Sequence, residues 1–310
     1  MKSLFVVRVF APLALSLLLA GQPVLQAADP GNDPSTRLLR DASLMLLKEG
    51  NARYVTGKPQ HPHAEAERRS NTVAQGQEPF ATILACSDSR EPVELIFDRG
   101  VGDLFVVRVA GNVAGESELA SVEYGVGHLN TPLLIVMGHT KCGAVTAVVK
   151  GAELHGHLQA LAAKIQPAAE KAKAASSQGE DTVPRAIQAN VWNTIETMIQ
   201  QSSVLREKIS VGRVTVHGAI YDLEQGTINW LGSHPAQDAL VALASQGETD
   251  AAAAAHEKLA TDDQPAAKAA HARPPRTAGA AKPAVPLAGT EAHPAENHAG
   301  KANAAGPDSR

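Results

Sequence analysis

The chain has 310 residues, a formal charge of −4, 44% apolar residues and only 3% aromatic ones. That length allows one large domain or two small ones, with a core built from Val, Leu, Ile and Ala. No dense basic block is present, which argues against nucleic acid as a partner.

Lys2 and Arg8 precede an uncharged apolar run from Val9 to Ala20, which Gly21 and Pro23 break before the small residues Ala27 and Ala28. The run is short for a membrane span and has the layout of a secretory signal peptide over 1–28, cleaved near Ala27 or Ala28. The mature protein is then exported, periplasmic or secreted, with no stable membrane insertion after cleavage. The rival reading is a retained membrane anchor. Residues 29–34 form a turn-rich linker, and a catalytic domain spans 35–240. From about 241 to 310 the chain turns to Ala, Lys, Pro, Gly and His. That composition lacks the apolar surface needed to offset ordering entropy, so the tail is expected to be largely disordered, with a helix over Asp250–Leu259. Its histidines (His256, His271, His293 and His298) are read as solvated.

Within the domain, Ser35 is placed to cap a helix through Tyr54 with Leu38, Leu39, Ala42, Met45 and Leu46 on one face. Phe80–Ala85 reads as a strand ending at Cys86, and Leu104–Val109 as a second. Ser117–His128 reads as a helix and Leu133–Gly138 as a third, wholly apolar strand. Helices follow over Gly143–Val149, Leu154–Lys173 and Val183–Gln201. Val211–His217 is a fourth strand and Thr227–Leu231 a fifth at the edge. Continuous apolar strands separated by helices predict an α/β fold, with a central, mostly parallel sheet of four strands plus an edge strand, flanked by helices.

Ligands of open α/β sheets bind beyond the carboxyl ends of the strands. Cys86 follows the first strand, and His139 and Cys142 follow the third, so the three converge there. Two thiolates and an imidazole suit zinc, and three protein ligands leave a fourth position open for chemistry. The alternative is a Cys86–Cys142 disulfide, since the chain has two cysteines and an export signal. On spacing alone the two stand level. The disulfide reading describes a metal-free binding or scaffold domain.

Cys86-Ser87-Asp88-Ser89-Arg90 followed by His139-Thr140-Lys141-Cys142, with Gly111-Asn112 between them, resembles the β-class carbonic anhydrases. Leu47–Tyr54, Arg108–Asn112, Ser121–Gly125 and His217–Asp222 extend the resemblance across about 35–235. It implies zinc-dependent reversible hydration of carbon dioxide to bicarbonate, with one Zn(2+) per chain on Cys86, His139 and Cys142. Asp88 and Arg90 are implied as the catalytic pair, with Asp88 a fourth ligand in a closed state. Gln77, Phe105 and Tyr124 are implied as substrate-binding residues in a pocket at a dimer interface, some of them serving the neighbouring subunit's zinc. A homodimer or dimer-based oligomer follows. Hydrolysis of carbon disulfide or carbonyl sulfide is the related alternative on the same fold. His61, His63 and His128 are proton-shuttle candidates by residue type alone.

Overall fold

A computed structural model of the chain describes residues 33–247 and Thr249. The expected signal peptide, most of the linker, the helix expected over 250–259 and the tail beyond it lie outside the described residues. Among the described residues, no helix is long and apolar enough to cross a membrane.

Five strands form one sheet in the order β2-β1-β3-β4-β5. β1 (Ala81–Ala85), β2 (Leu104–Arg108), β3 (Leu133–His139) and β4 (Thr215–Tyr221) are mutually parallel, and β5 (Ile228–Gly232) closes the edge antiparallel to β4. This is the expected α/β architecture. Every residue of β1 and β3 is buried, as a strand covered on both faces requires. Their side chains alternate between two cores. Leu84, Leu134 and Val136 pack with Val191, Ile195 and Met198 on one face. Ile83, Ile135 and Met137 pack with Leu47, Ile96 and Phe97 on the other.

Helix α1 (Pro34–Val55) corrects two expectations. Its cap is Asp33, whose carboxylate accepts from the Thr36 amide at 3.4 Å, rather than Ser35. Pro34 sits at the first helical position, where no backbone N–H is needed. The face turned to the core is also different. Leu38, Leu39 and Met45 are 69%, 61% and 54% exposed, whereas Ser43, Leu47, Gly50 and Asn51 are buried. The buried stripe is small and polar because the contact is close. A Cβ on Gly50 would lie 1.8 Å from the Phe97 carbonyl oxygen. Asn51 donates to the carbonyls of Ile96 and Gly226 and accepts from the Ile228 amide. Each such bond contributes about 1 kcal/mol net, and leaving one unmade inside would cost more.

The sequence pattern does not mark α2 (Ala66–Gln75), the single turn α3 (Val93–Ile96) or α8 (Ser203–Ser210). α8 takes the residues before β4, so Val211 is its C-cap and β4 starts at Thr215, four residues later than expected. The expected helix over Ser117–His128 is α4 (Glu116–Glu123), which runs into a π-helical turn at Tyr124–His128. α5 (Gly143–Val149) has the expected bounds, α6 (Leu158–Ala175) starts four residues late, and α7 (Thr182–Gln201) one residue early. Residues 237–247 are helical, and Leu240 and Val241 pack against the core from there.

Candidate metal centre

β1 and β3 are parallel neighbours, so the residues at their carboxyl ends meet. Cys86 comes one residue after β1, His139 ends β3, and Cys142 caps α5. Their ligand atoms all lie within 4.8 Å of one another, and all three side chains are buried. Lys141 takes a left-handed conformation (φ 57°) to turn the chain between His139 and Cys142. That loop is tied to the end of β4, where the Thr140 amide donates to the Tyr221 carbonyl at 2.9 Å and the Leu223 amide donates to Thr140 Oγ1 at 3.0 Å.

The state of each donor follows from its partners. His139 Nδ1 lies 2.9 Å from the Thr140 carbonyl. A carbonyl only accepts, so Nδ1 carries the proton and Nε2 presents its lone pair to the sulfurs. Nε2 is buried with no hydrogen-bond partner, which would cost roughly 1–3 kcal/mol if nothing met it. The two cysteines are not joined, and the Gly111 amide donates to Cys86 Sγ at 3.2 Å. The Cys86 thiol is held well below its ordinary range, first by the Cys142 sulfur beside it and further by the nearby His139 ring and the Gly111 amide, against the cost of burial. Cys142, beside the first sulfur, is pushed up. An imidazole lone pair aimed at two close sulfurs fits a tetrahedral zinc site with one open position.

Asp88 and Arg90 stand beside this cluster. Arg90 Nε donates to Asp88 Oδ1 at 2.9 Å and its terminal nitrogen to Oδ2 at 2.7 Å, so the guanidinium grips both carboxylate oxygens. That grip holds the Asp88 carboxyl well below the usual carboxylate range. Asp88 Oδ2 is 3.7 Å from His139 Nε2. Of the two arrangements the resemblance implies for Asp88, the structure has the Arg90 pair.

Several residues in this site were not anticipated as functional. The β1–β2 register sets Arg108 opposite Ala85. From there its Nε donates to the Cys86 carbonyl at 2.9 Å and its terminal nitrogen to the Asp88 carbonyl at 2.7 Å. Its sequence signals are a charged residue ending an apolar strand and its place at the start of the Arg108–Asn112 segment of the resemblance, neither of which assigns it a role. Glu91 is fully buried, and its Oε2 accepts from the Cys86 amide at 3.0 Å. Burial pushes its carboxyl up to about 8. On α7, Asn190 donates to the Gly111 carbonyl at 2.6 Å and Thr194 to the Asn112 carbonyl at 3.1 Å, which fixes the turn that supplies the Gly111 amide. Gly111 itself has φ 75°, and a Cβ there would meet Ile165 at 2.8 Å.

The remaining expected residues lie elsewhere in the chain. Phe105 pairs in register with Thr82, four residues before Cys86 and so about 13 Å back along the strand. Its ring is 5.8 Å from that of Tyr124, which is 44% exposed and stacks on His128 at 4.6 Å. Gln77 is exposed and precedes the amino end of β1. The structure therefore brings Phe105 and Tyr124 together, but at the opposite end of the sheet from the cysteines of the same chain.

A mostly parallel α/β sheet with a buried Cys-His-Cys cluster at its strand ends, flanked by an Asp–Arg fork, defines the class as an α/β protein with a candidate metal centre. Residues 81–228 match the carbonic anhydrase family. The chain is 38% identical over 189 residues to carbonic anhydrase 2 of Mycobacterium tuberculosis, covering 60% of this chain and 89% of that protein. It is 35% identical over 197 residues to the carbonic anhydrase of Mycolicibacterium smegmatis, covering 62% and 93%. Among solved structures it is similar to the β-carbonic anhydrase CafA of Aspergillus fumigatus, at 31% identity, 65% and 95% coverage and a TM-score of 0.51. The chain belongs to the β-class carbonic anhydrases.

Proposed function

We propose that this chain catalyses the reversible hydration of carbon dioxide to bicarbonate and a proton, with one zinc ion held by Cys86, His139 and Cys142. The observation that carries this reading is the unpartnered Nε2 of His139 aimed at two buried sulfurs, with an ionised carboxylate at its side. Zinc, when bound, supplies the nucleophile by acidifying water at its open position, chemistry for which carbonic anhydrases are the standing illustration. The protein's own part is orientation. Asp88, kept ionised by Arg90, accepts a hydrogen bond from the nucleophile and so aims its lone pair at carbon. Arg108 holds the carbonyls of Cys86 and Asp88, and with them the spacing between ligand and carboxylate. The Gly111 amide withdraws charge from the Cys86 sulfur. Stopped-flow measurement of carbon dioxide hydration, paired with metal analysis, tests the reading. Saturable catalysis at one zinc per chain is expected, and zinc-loaded protein that leaves hydration at the background rate overturns it. Faster turnover of carbon disulfide or carbonyl sulfide would reassign the substrate.

The active unit in this reading is a homodimer, in which Gln77, Phe105 and Tyr124 bind substrate at the zinc of the neighbouring subunit. Two features support it: their distance from the chain's own cysteines, and the exposed Leu38, Leu39 and Met45 on α1. Placing charges on that stripe with Leu38→Glu/Met45→Glu is expected to shift sedimentation from dimer to monomer and to lower kcat/KM with zinc still bound. A variant that remains dimeric removes α1 from the interface.

Export belongs to the same reading. The charged start, the apolar run and Ala27-Ala28 support cleavage of 1–28 and a periplasmic or secreted enzyme. Intact-mass analysis of protein from the producing cell is expected to show a chain beginning near Ala28 or Asp29. A chain that retains Lys2 and Arg8 contradicts cleavage.

A further inference from the structure

The metal-binding loop is gripped on its carbonyl side by Arg108, which takes the Cys86 and Asp88 carbonyls. Its amide side depends on another residue. Cys86 is 4% exposed, and a buried backbone N–H needs an acceptor. The Ser87 amide donates to the Val109 carbonyl at 3.3 Å, and the Cys86 amide donates to Glu91 Oε2 at 3.0 Å. Glu91 reaches back because the chain turns between Asp88 and Glu91, closed by the Glu91 amide on the Asp88 carbonyl at 3.0 Å.

Glu91 is costly to keep there. Its side chain is 0% exposed and its Oε1 has no hydrogen-bond partner. A buried carboxyl with an unsatisfied oxygen destabilises a fold, and an apolar side chain of similar volume is commonly neutral or stabilising in such a place. The chain therefore holds an unfavourable group at a point where it fixes a ligand's backbone. Residues that hold functional groups commonly reduce stability in this way.

We propose that Glu91 is a positioning residue for the Cys86 ligand: with Arg108 opposite, it clamps the Cys86-Ser87-Asp88 loop in its metal-ready form before the ion arrives. The proposal rests on the metal-centre reading above and deepens it. Its consequence is that stability and metal affinity move in opposite directions when the carboxyl is lost. A purely structural residue would lower both or leave affinity untouched.

The test compares Glu91→Leu with Glu91→Gln in the full chain. Glu91→Leu removes the acceptor, and Glu91→Gln keeps one. Three quantities are read: zinc affinity by competition with a chromophoric chelator, the thiolate-to-metal absorption band of the cobalt-substituted protein, and the Tm of zinc-free protein. Glu91→Leu is expected to have an unchanged or higher zinc-free Tm, zinc affinity weaker by about 10-fold or more, and a shifted cobalt band. Glu91→Gln is expected to stay near wild type in affinity and band position. Should Glu91→Leu not fold, Glu91→Ala removes the acceptor without demanding volume, and affinity and band position alone are then read, because the cavity it leaves lowers Tm by itself. Wild-type affinity and an unmoved band in the acceptor-free variant overturn the proposal, as does a Glu91→Gln protein that binds zinc as weakly as that variant. Failure of the wild type itself to bind zinc overturns the metal-centre reading instead.

Discussion

Replacing Asp88 with Asn is expected to lower kcat for carbon dioxide hydration by about 10²-fold or more while leaving one zinc per chain. Asp88 is not one of the three clustered donors, so the ion should remain. What changes is the oxygen 3.7 Å from His139 Nε2. The Arg90 fork donates to both carboxylate oxygens, and an amide can answer only one of those donors, while its NH2 faces the other as donor against donor. The side chain then rotates or loosens, and the group that orients the nucleophile loses both charge and aim. Arg90→Ala should also lower the rate, because the same carboxylate loses its anchor. The two residues act as one unit, so the double variant should be little worse than Asp88→Asn alone. Stopped-flow rates on protein of matched zinc content decide this. Full activity in Asp88→Asn removes Asp88 from the mechanism, and additive losses in the double variant remove the coupling to Arg90.

The sequence made some of this legible and not the rest, for physical reasons. β1 and β3 were readable because both faces of a central parallel strand are covered, which leaves an uninterrupted apolar run. Cys86, His139 and Cys142 were readable because few residue types bind zinc and these sit at the ends of those runs. Helix α2 was not readable, since none of its residues is buried and no apolar stripe marks it. In α1 the apolar stripe pointed away from the core, because the contact with Phe97 demanded Gly50 rather than a large side chain. Arg108, Glu91, Asn190 and Thr194 reach the site through strand register or the crossing of α7 over the 110–112 turn. Such placement is tertiary and leaves no local pattern. Gln77, Phe105 and Tyr124 were singled out by resemblance, and a single chain does not bring them to its own cluster.

Removing zinc is expected to abolish catalysis, and oxidation of the zinc-free protein to make that loss irreversible by simple metal addition. A bound ion would be the partner shared by the buried Nε2 of His139 and the two sulfurs. Without it, two thiols lie side by side with ligand atoms within 4.8 Å and no metal to occupy them. A small disulfide such as oxidised glutathione supplies the oxidant. One protein thiolate attacks it and releases one glutathione thiol. The second protein thiolate then attacks the mixed disulfide, forming Cys86–Cys142 and releasing the second thiol. Chelated protein kept reduced should titrate two free thiols per chain, as its two cysteines allow, and regain activity with zinc. The same protein held with oxidised glutathione should titrate none, and zinc should not restore it until a reductant does. If the proposed export holds, this contrast bears directly on the enzyme, because the compartment that favours the disulfide is the one in which the metal has to be retained. Zinc-free protein that keeps both thiols and full zinc-dependent recovery after oxidation would show that the Cys86 loop holds its sulfur out of bonding reach, with the clamp by Glu91 and Arg108 as the structural cause to examine through their variants.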